Sequence, residues 1–301
     1  MSAAPEPLTA PPYAPVAGRG ESLWSIALRR LLRNRRAVAG LVILLALALA
    51  SALAPVLAPY DRDATDVLHI EEPPSAAHLL GTDELGRDVL SRLLWGGRVS
   101  LSVGLVSVTI AVGIGTVLGA LAGYYGGWVD TVIMRLTDMV LVFPFFPLAL
   151  TMSAVLGPSI YNTMIVIGAL SWTGVARLVR GEFLSLRTRE FAQAAAAMGA
   201  SDGRIIVRHL LPGAAAPLLV AATLGVASAI LGEAGLSFLG LGVPQPVPSW
   251  GNMLSGALSY KVLLLEPWLW VPPGILIFLA VLSINLVGDG LRDALDPKLK
   301  R

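Results

Sequence analysis

Long stretches without a charged residue dominate this chain and restrict what it can fold into. Five such stretches cover residues 37–60, 99–129, 139–176, 209–232 and 267–288. A helix that crosses the ~30 Å hydrocarbon core of a bilayer needs about 20 mostly apolar residues, and each stretch is long enough. Only 14% of the chain is charged, well below the value of a soluble domain. We therefore predict an all-α membrane protein with several spans.

One of these stretches is too long for a single crossing. Residues 139–176 number 38, which is roughly 57 Å of helix at ~1.5 Å per residue. Gly157 and Pro158 lie inside the stretch and favour a turn there. We therefore predict six transmembrane helices, near residues 38–58, 100–124, 134–156, 160–177, 213–232 and 268–288.

A sixth uncharged segment, residues 234–260, has a different composition. It contains five glycines and three prolines, which interrupt helical hydrogen bonding. Lipid would leave such a broken backbone unsatisfied. We interpret the segment as a loop or a protein-lined re-entrant segment, and the alternative is a seventh helix kinked by its prolines.

The distribution of basic residues predicts the orientation, because cytoplasmic segments carry an excess of Lys and Arg. With the N-terminus inside, 17 of the 22 basic residues fall on the cytoplasmic side and five outside. Both termini are then cytoplasmic. The predicted divisions are an N-terminal tail (1–37, with 1–20 disordered), an anchor helix (38–58), an external loop (59–98), a five-helix core (99–290) with a cytoplasmic loop at 178–212, and a C-terminal tail (291–301).

Several kinds of chemistry have no support in the sequence. A formal net charge of +2 argues against nucleic-acid binding. The chain has no cysteine, which excludes disulfides, thiolate metal sites and a cysteine nucleophile. Proton relays place acids or histidines in the middle of helices, and none is found there. A phosphate-binding Walker A loop needs a Gly-Lys pair, but none of the three lysines follows a glycine. Any energy from ATP must therefore come from another polypeptide.

Two histidines, His69 and His78, lie in the acidic external loop. A metal site there is one interpretation, and a solvated loop is the other. We predict no catalytic residue, metal site or cofactor site in this chain.

Small residues form two stripes that predict close helix packing. Gly115, Gly119, Gly123 and Gly127 recur every four residues in the second span, and Gly225 lies between two alanines at the same spacing in the fifth. The absence of side chains along such a stripe lets another helix approach. Asp138 is expected to pair with Arg135, three residues away on the same helical face. Glu233 is expected to cap or anchor the end of the fifth span.

The loop between the fourth and fifth spans contains a short predicted helix. An alanine-rich run follows Glu190 and Gln193, and its apolar residues Phe191, Ala194, Ala195 and Met198 share one face. Gly199 can end this helix in the left-handed conformation. Ser201 can cap a second short helix that begins with Asp202. Such a helix can dock into a groove on a partner or rest on lipid headgroups, and the pattern alone does not decide.

This loop resembles the "EAA" loop of binding-protein-dependent ABC importer permeases, E-A-A-x3-G-x9-I-x-L-P. Ala194, Ala195, Gly199 and Leu211-Pro212 match that pattern at the right spacing. Two positions depart from it, because Gln193 replaces the glutamate and His209 replaces the isoleucine. The longer string from Glu190 through Ala200, Ser201, Asp202 and Arg208 to Pro212 resembles the oligopeptide, dipeptide and nickel branch.

Two further segments resemble the C-type permeases of the same branch. One is HLLGTDELGRDVLSR at residues 78–92, and the other is GEAGLSFLGLG at 232–242 together with PSWG at 248–251. The resemblance covers roughly residues 25–297. It implies the type I ABC importer permease fold in the cytoplasmic membrane of a prokaryote.

The resemblance also implies a function and a set of partners. The expected function is half of the translocation path of an ATP-driven peptide importer, with nickel import as the alternative. The expected partners are a second homologous permease, two cytoplasmic ATPases that bind ATP and Mg²⁺, and an external substrate-binding protein. The ATPase-coupling residues it implies are Glu190, Gln193, Ala194, Ala195, Gly199, Ala200, Ser201, Asp202 and Arg208. An ion-coupled carrier or a non-transporting scaffold is the other class of function.

Overall fold

A computed structural model describes residues 23–295, and this part of the chain contains helices and no β-strand. The helices are α1 (Leu23–Arg33), α2 (Arg35–Ala52), α3 (Ala54–Leu57), α4 (Val89–Tyr125), α5 (Gly127–Val142), α6 (Phe145–Leu156), α7 (Ile160–Leu186), α8 (Glu190–Ala197), α9 (Asp202–Arg204), α10 (Leu211–Phe238), α11 (Trp250–Leu254), α12 (Tyr260–Leu265) and α13 (Pro267–Leu295). A π-helical turn, Ile205–Leu210, joins α9 to α10, and a 3₁₀ turn, Ser255–Leu258, follows α11.

The prediction of an all-α membrane protein is confirmed. Five segments are long and apolar enough to cross a bilayer, and the bent pair α5–α6 makes a sixth. The third span predicted at 134–156 corresponds to this bent pair and is not one continuous helix, because α5 and α6 meet at an angle of 90°. Pro144 causes the break: it has no N–H, and its ring holds Phe143 in an extended conformation.

Most spanning helices extend beyond the uncharged stretches that predicted them. α4 begins at Val89 and α7 continues to Leu186, so Arg92 and Arg180 both lie within helices. The charge-free stretch marks the part of a helix that lies in hydrocarbon, whereas the hydrogen-bonded helix continues into protein and headgroups. The predicted tail also contains structure, since α1 precedes the Asn34 cap of α2. Residues 1–20 and most of the predicted C-terminal tail lie outside the described residues.

The central contact of the bundle is between α4 and α7, where three glycines of α4 face α7. A Cβ on Gly119 would lie 2.5 Å from the Ala176 carbonyl oxygen, and one on Gly115 or Gly123 would lie within 2.8 Å of α7 backbone oxygens. Gly225 of α10 faces α4 less tightly, since a Cβ there would lie 3.3 Å from the side chain of Val108. The close approach of these helices therefore depends on the missing side chains.

Gly127, which we expected in the same stripe, does not belong to it. α4 ends at Tyr125, and Gly126 and Gly127 turn the chain with φ angles of +67° and +53°. No atom of another residue lies within 4 Å of the position of a Gly127 Cβ. The prediction failed because the four-residue repeat of glycines extends past Tyr125, where the helix ends. Gly127 therefore does not share a helix face with the other three glycines.

The segment after α10 is broken, as its glycines and prolines predict. α10 runs to Phe238, residues 239–249 form a loop, and only short helices precede α13. Trp250 is buried there and its indole Nε1–H donates to the Leu93 carbonyl oxygen at 3.0 Å. No seventh spanning helix is present in this region, and the broken backbone packs against α4, α10 and α13.

We predict that Gly119→Ala destabilises the bundle and that Gly113→Ala does not. Both substitutions remove a glycine from α4 and gain the same helix propensity, about 1 kcal/mol. Only the alanine at 119 meets backbone, since the Gly113 Cβ position is open. Overpacking of this kind costs about 1–3 kcal/mol. Thermal unfolding in mild detergent should show the lower midpoint for Gly119→Ala, and equal midpoints would contradict the role of the stripe.

Candidate functional site: the α8 loop and the segments that hold it

Helix α8 has one buried and one exposed face. Ala192 and Ala195 are 4% and 2% exposed and pack against Phe183 of α7 and its neighbours. Phe191 and Met198 are 43% and 82% exposed, and Ala194 lies exposed between them. The predicted apolar face thus divides: Ala195 turns inward, and the other three residues form an uncovered apolar surface. We call Phe191, Ala194 and Met198 the α8 surface.

The turn after α8 is a Schellman motif. The Ala200 N–H donates to the Ala195 carbonyl at 3.1 Å, and the Gly199 N–H donates to the Ala196 carbonyl at 3.0 Å. Gly199 has a φ of +79°, in the left-handed region that glycine adopts without strain. No atom of another residue lies within 4 Å of its Cβ position. The requirement for glycine at 199 therefore comes from the backbone conformation alone.

The predicted second helix of the loop is the beginning of a much longer one. Asp202 follows an extended Ser201, but the Ser201 side chain forms no capping hydrogen bond. The chain then continues through the π-helical turn into α10, so the apolar helix spans Asp202–Phe238. Within the turn the Leu211 N–H donates to the Ile206 carbonyl, a five-residue spacing that α-helix does not have. The wider turn accommodates Pro212, which has no N–H, inside a continuous helix.

The other predicted loop residues are all near the surface. Glu190 and Gln193 lie exposed in the first turn of α8, and the Gln193 amide donates to the Thr188 carbonyl at 3.1 Å. Arg208 is exposed on the π-helical turn. Gln193, which replaces the glutamate of the family pattern, thus binds its own loop.

The contacts at the α4–α5 turn, residues 124–130, were not predicted from the sequence. The Tyr124 hydroxyl donates to Asp202 at 2.8 Å, and the Arg187 guanidinium donates to the Tyr124 carbonyl at 2.8 Å. Arg180 donates two hydrogen bonds of 2.5 Å to the two oxygens of Asp130. The partners in these contacts lie 50 or more positions apart in sequence, so residue spacing does not predict them.

A related prediction was wrong: Asp138 pairs with Arg177 of α7, at 2.6 Å, instead of Arg135. The side chain of Asp138 is therefore directed toward the neighbouring helix α7, whose position the spacing along one helix does not predict. Both side chains of the observed pair are about half exposed.

A buried carboxylate organises the opposite end of the bundle. Glu233 is fully buried in α10, where it accepts hydrogen bonds from Ser100 at 2.9 Å and Ser237 at 2.7 Å. Each serine accepts a backbone N–H in turn, from Trp250 and Val243 respectively. Glu233 therefore ends two hydrogen-bond chains that begin at Val243 and Trp250. Of the two roles expected for it, the contacts correspond to anchoring the end of α10 and not to capping it.

Arg92 joins the loop before α4 to the same broken segment. Its side chain is buried, and it donates to the Arg62 carbonyl, the Pro246 carbonyl and the Gln245 side chain at 3.2–3.4 Å. Its Nε lies 3.4 Å from a carboxylate oxygen of Asp83. The loop, predicted as a solvated segment, is thus partly packed against the helices.

The two loop histidines each bind an aspartate. His78 is buried against Asp88, at 3.0 Å, and His69 binds the exposed Asp66 at 2.7 Å. The hydrogen bond to Asp66 raises the pKa of His69, and the same bond lowers the pKa of Asp66. Among residues 23–295, no three His, Cys, Asp or Glu side chains are grouped so that they could hold a metal ion.

Two family models match the chain. Residues 115–301 match the binding-protein-dependent transport system inner membrane component, and residues 22–74 match the N-terminal transmembrane domain of oligopeptide transport permease C. The chain belongs to the C-type permeases of peptide ABC importers. Permeases of this family are non-catalytic, multi-pass inner-membrane subunits, and the ATPase is a separate subunit.

Curated relatives are similar over nearly the whole permease. A dipeptide transport system permease of Alkalihalophilus pseudofirmus is 44% identical over 98% of this chain and 96% of its own length. A glutathione transport system permease of Pectobacterium atrosepticum is 46% identical over 92% of each chain. An oligopeptide transport system permease of Haemophilus influenzae is 42% identical over 93% of this chain and 90% of its own.

A solved structure shows the same fold. An inward-facing methionine ABC transporter contains a chain that is 20% identical, with a TM-score of 0.55 over 68% of this permease and 96% of that chain. The type I ABC importer permease fold is thereby confirmed.

We predict that replacing Gly199 uncouples transport from ATP hydrolysis. The loss should grow with the strain that the new residue suffers in the left-handed conformation. Asparagine tolerates this conformation, whereas other residues pay about 1–2 kcal/mol and a β-branched side chain suffers most. Uptake per ATP hydrolysed should fall in the order Gly, Asn, Ala, Val at position 199. Gly203→Ala is the matched control, because Gly203 lies in helix with an open Cβ position. Wild-type coupling in Gly199→Val would overturn the role of this turn.

We predict that Glu233→Ala loosens the broken segment, residues 239–249, and that Glu233→Gln does so less. Alanine leaves the Ser100 and Ser237 hydroxyls without an acceptor, at about 1–3 kcal/mol for each group. Glutamine keeps the size and one acceptor oxygen. Limited proteolysis of the segment should accelerate in the order wild type, Gln, Ala. Equal rates in wild type and Glu233→Ala would refute this function of the carboxylate.

Proposed function

We propose that this permease forms half of the translocation path of a peptide importer, paired with a second homologous permease. In this proposal two ATPases bind at the α8 end, which is the cytoplasmic side, and a substrate-binding protein delivers peptides at the Glu233 end. The proposal rests mainly on the exposed apolar residues of the α8 surface. In this family the ATPase is a separate subunit, and such a surface offers it a place to bind.

The α8 surface has the character of a protein-docking site. A helix with one face fixed in the bundle and an apolar face exposed can insert into a groove of a partner. Exposed arginines at 189, 204 and 208 surround it, so the groove that fits is apolar with acidic edges. Glu190, Gln193 and Asp202 lie beside this surface. We assign the exposed residues of the predicted coupling set to ATPase contact, and the buried Ala195 and the turn at Gly199 and Ala200 to the positioning of α8.

The α5–α6 break supports the second permease. The last carbonyls of α5 have no helical partner, and Phe143 and Phe146 are exposed beside them. Backbone of this kind cannot face lipid and must meet protein or a water-filled path. A homologous permease that packs across the break would cover this backbone with protein and would enclose a water-filled path between the two subunits.

The substrate class follows from the relatives, which are named as dipeptide, oligopeptide and glutathione permeases. We propose di- and oligopeptides. Nickel, the alternative, gains no support from the loop histidines, because each is held by an aspartate.

The test is purification of the tagged chain from its own host in mild detergent. We expect stoichiometric recovery of a second six-span permease and of ATPases with Walker A motifs, identified by mass spectrometry. Reconstituted with the co-encoded binding protein, the complex should take up labelled peptides only when ATP is present. Recovery of the folded chain alone would contradict the importer, and ATP-dependent uptake of Ni²⁺ without peptide would contradict the substrate.

A further inference from the structure

The α4–α5 turn is held by residues on both sides of α8. Arg187, at the end of α7, precedes α8 and donates to the Tyr124 carbonyl. Asp202, the first residue of α9 after the Gly199 turn, accepts from the Tyr124 hydroxyl. One residue at the end of α4 thus bonds to both flanks of the helix assigned to ATPase docking. A shift of α8 that carries its flanks with it must displace this turn.

The turn itself is too tight to absorb such a shift. Gly126 has a φ of +67°, and a Cβ there would lie 3.1 Å from the Arg187 guanidinium. Gly126 is the single residue between α4 and α5. A displacement of Tyr124 is therefore passed to α5 instead of being taken up by a flexible loop.

The strongest link is the ion pair at the start of α5. Both oxygens of Asp130 receive hydrogen bonds from Arg180 of α7, and the two side chains are 18% and 33% exposed. A two-pronged Arg–carboxylate contact fixes orientation as well as distance. The Asp138–Arg177 pair farther along the same two helices is more exposed, and one hydrogen bond joins it instead of two.

α5 continues from this link to the break at Phe143–Pro144. Its 16 residues form a rod of roughly 24 Å, at ~1.5 Å per residue. A rotation at the Asp130 end therefore appears as a displacement at the break, where backbone and aromatic side chains are exposed.

We propose that α5 is the arm that carries the movement of α8 to the translocation path, and that Asp130 and Tyr124 are its positioning residues. The inference rests on the proposed function, because it takes α8 to be the helix that the ATPase moves. Asp130 fixes the arm to α7, and Tyr124 joins the base of the arm to Asp202, the first residue of α9.

The test is Asp130→Asn in the complete complex, reconstituted with its native partners and supplied with peptide. The substitution keeps the shape and removes the charge that the Arg180 fork binds. We expect normal assembly, nearly normal ATP hydrolysis and about a tenfold fall in peptide uptake per ATP, within the usual range of coupling between sites. Tyr124→Phe, which removes one hydroxyl, should produce a smaller fall in the same direction.

The controls separate coupling from folding. Asp138→Asn and Tyr125→Phe change the same chemical groups at exposed neighbouring positions and should leave the uptake ratio unchanged. The exchange Asp130→Arg with Arg180→Asp should restore part of the uptake lost in Asp130→Asn. Normal coupling in Asp130→Asn, or an equal loss in Asp138→Asn, would overturn the inference.

A distance measurement gives a second outcome. The chain has no cysteine, so spin labels can be placed at Leu141 of α5 and Ile275 of α13, with cysteine-free partners. The 141–275 distance should change on ATP binding in wild type and remain constant in Asp130→Asn. If it changes equally in both, α5 is not driven through Asp130. If the wild-type complex shows no ATP-dependent uptake, the proposed function has failed instead.

Discussion

The contact between α4 and α7 is the constraint on which the rest of this permease depends. Three glycines let the two helices approach until backbone meets backbone, and apolar packing in lipid depends on such fit since hydrophobic burial provides little driving force there. α10 then packs on α4, and the end of α7 supplies the apolar surface on which Ala192 and Ala195 rest. The position of α8 is therefore set by the same contact that fixes the centre of the bundle.

The two ends of the bundle use polar groups in different ways. At the Glu233 end, hydrogen-bond chains converge on one buried carboxylate and hold a broken segment against α4 and α10. At the α8 end, the Tyr124–Asp202 hydrogen bond and the Asp130–Arg180 ion pair join neighbouring helices. In our proposal these helices move when the ATPase moves α8. Fixed packing at one end and directional links at the other suit a subunit that receives substrate on one side and mechanical input on the other.

The sequence predicted the helices better than their ends and better than the site contacts. Absence of charge located the spans, because lipid excludes charge whatever the tertiary structure. The same signal placed the start of α4 too late, because Arg92 is buried among protein carbonyls instead of lipid.

The turn at Gly199 was predictable from a local backbone rule. The Tyr124–Asp202 and Asp130–Arg180 contacts were not, because they depend on which helices become neighbours. Pro144 was visible in the sequence, but the size of the bend depends on the space that Phe145 and Phe146 find beside Gly232 and Gly235 of α10.

The most direct measurement of the central claim is site-specific photocross-linking from α8 in membranes of the native host. A photoreactive residue at Met198, which is 82% exposed, should capture the ATPase, whereas one at Ala195, which is 2% exposed, should not. Capture at 198 that strengthens or weakens with ATP would show that this helix meets the moving subunit. Equal capture from both positions, or capture of lipid alone from 198, would contradict the account.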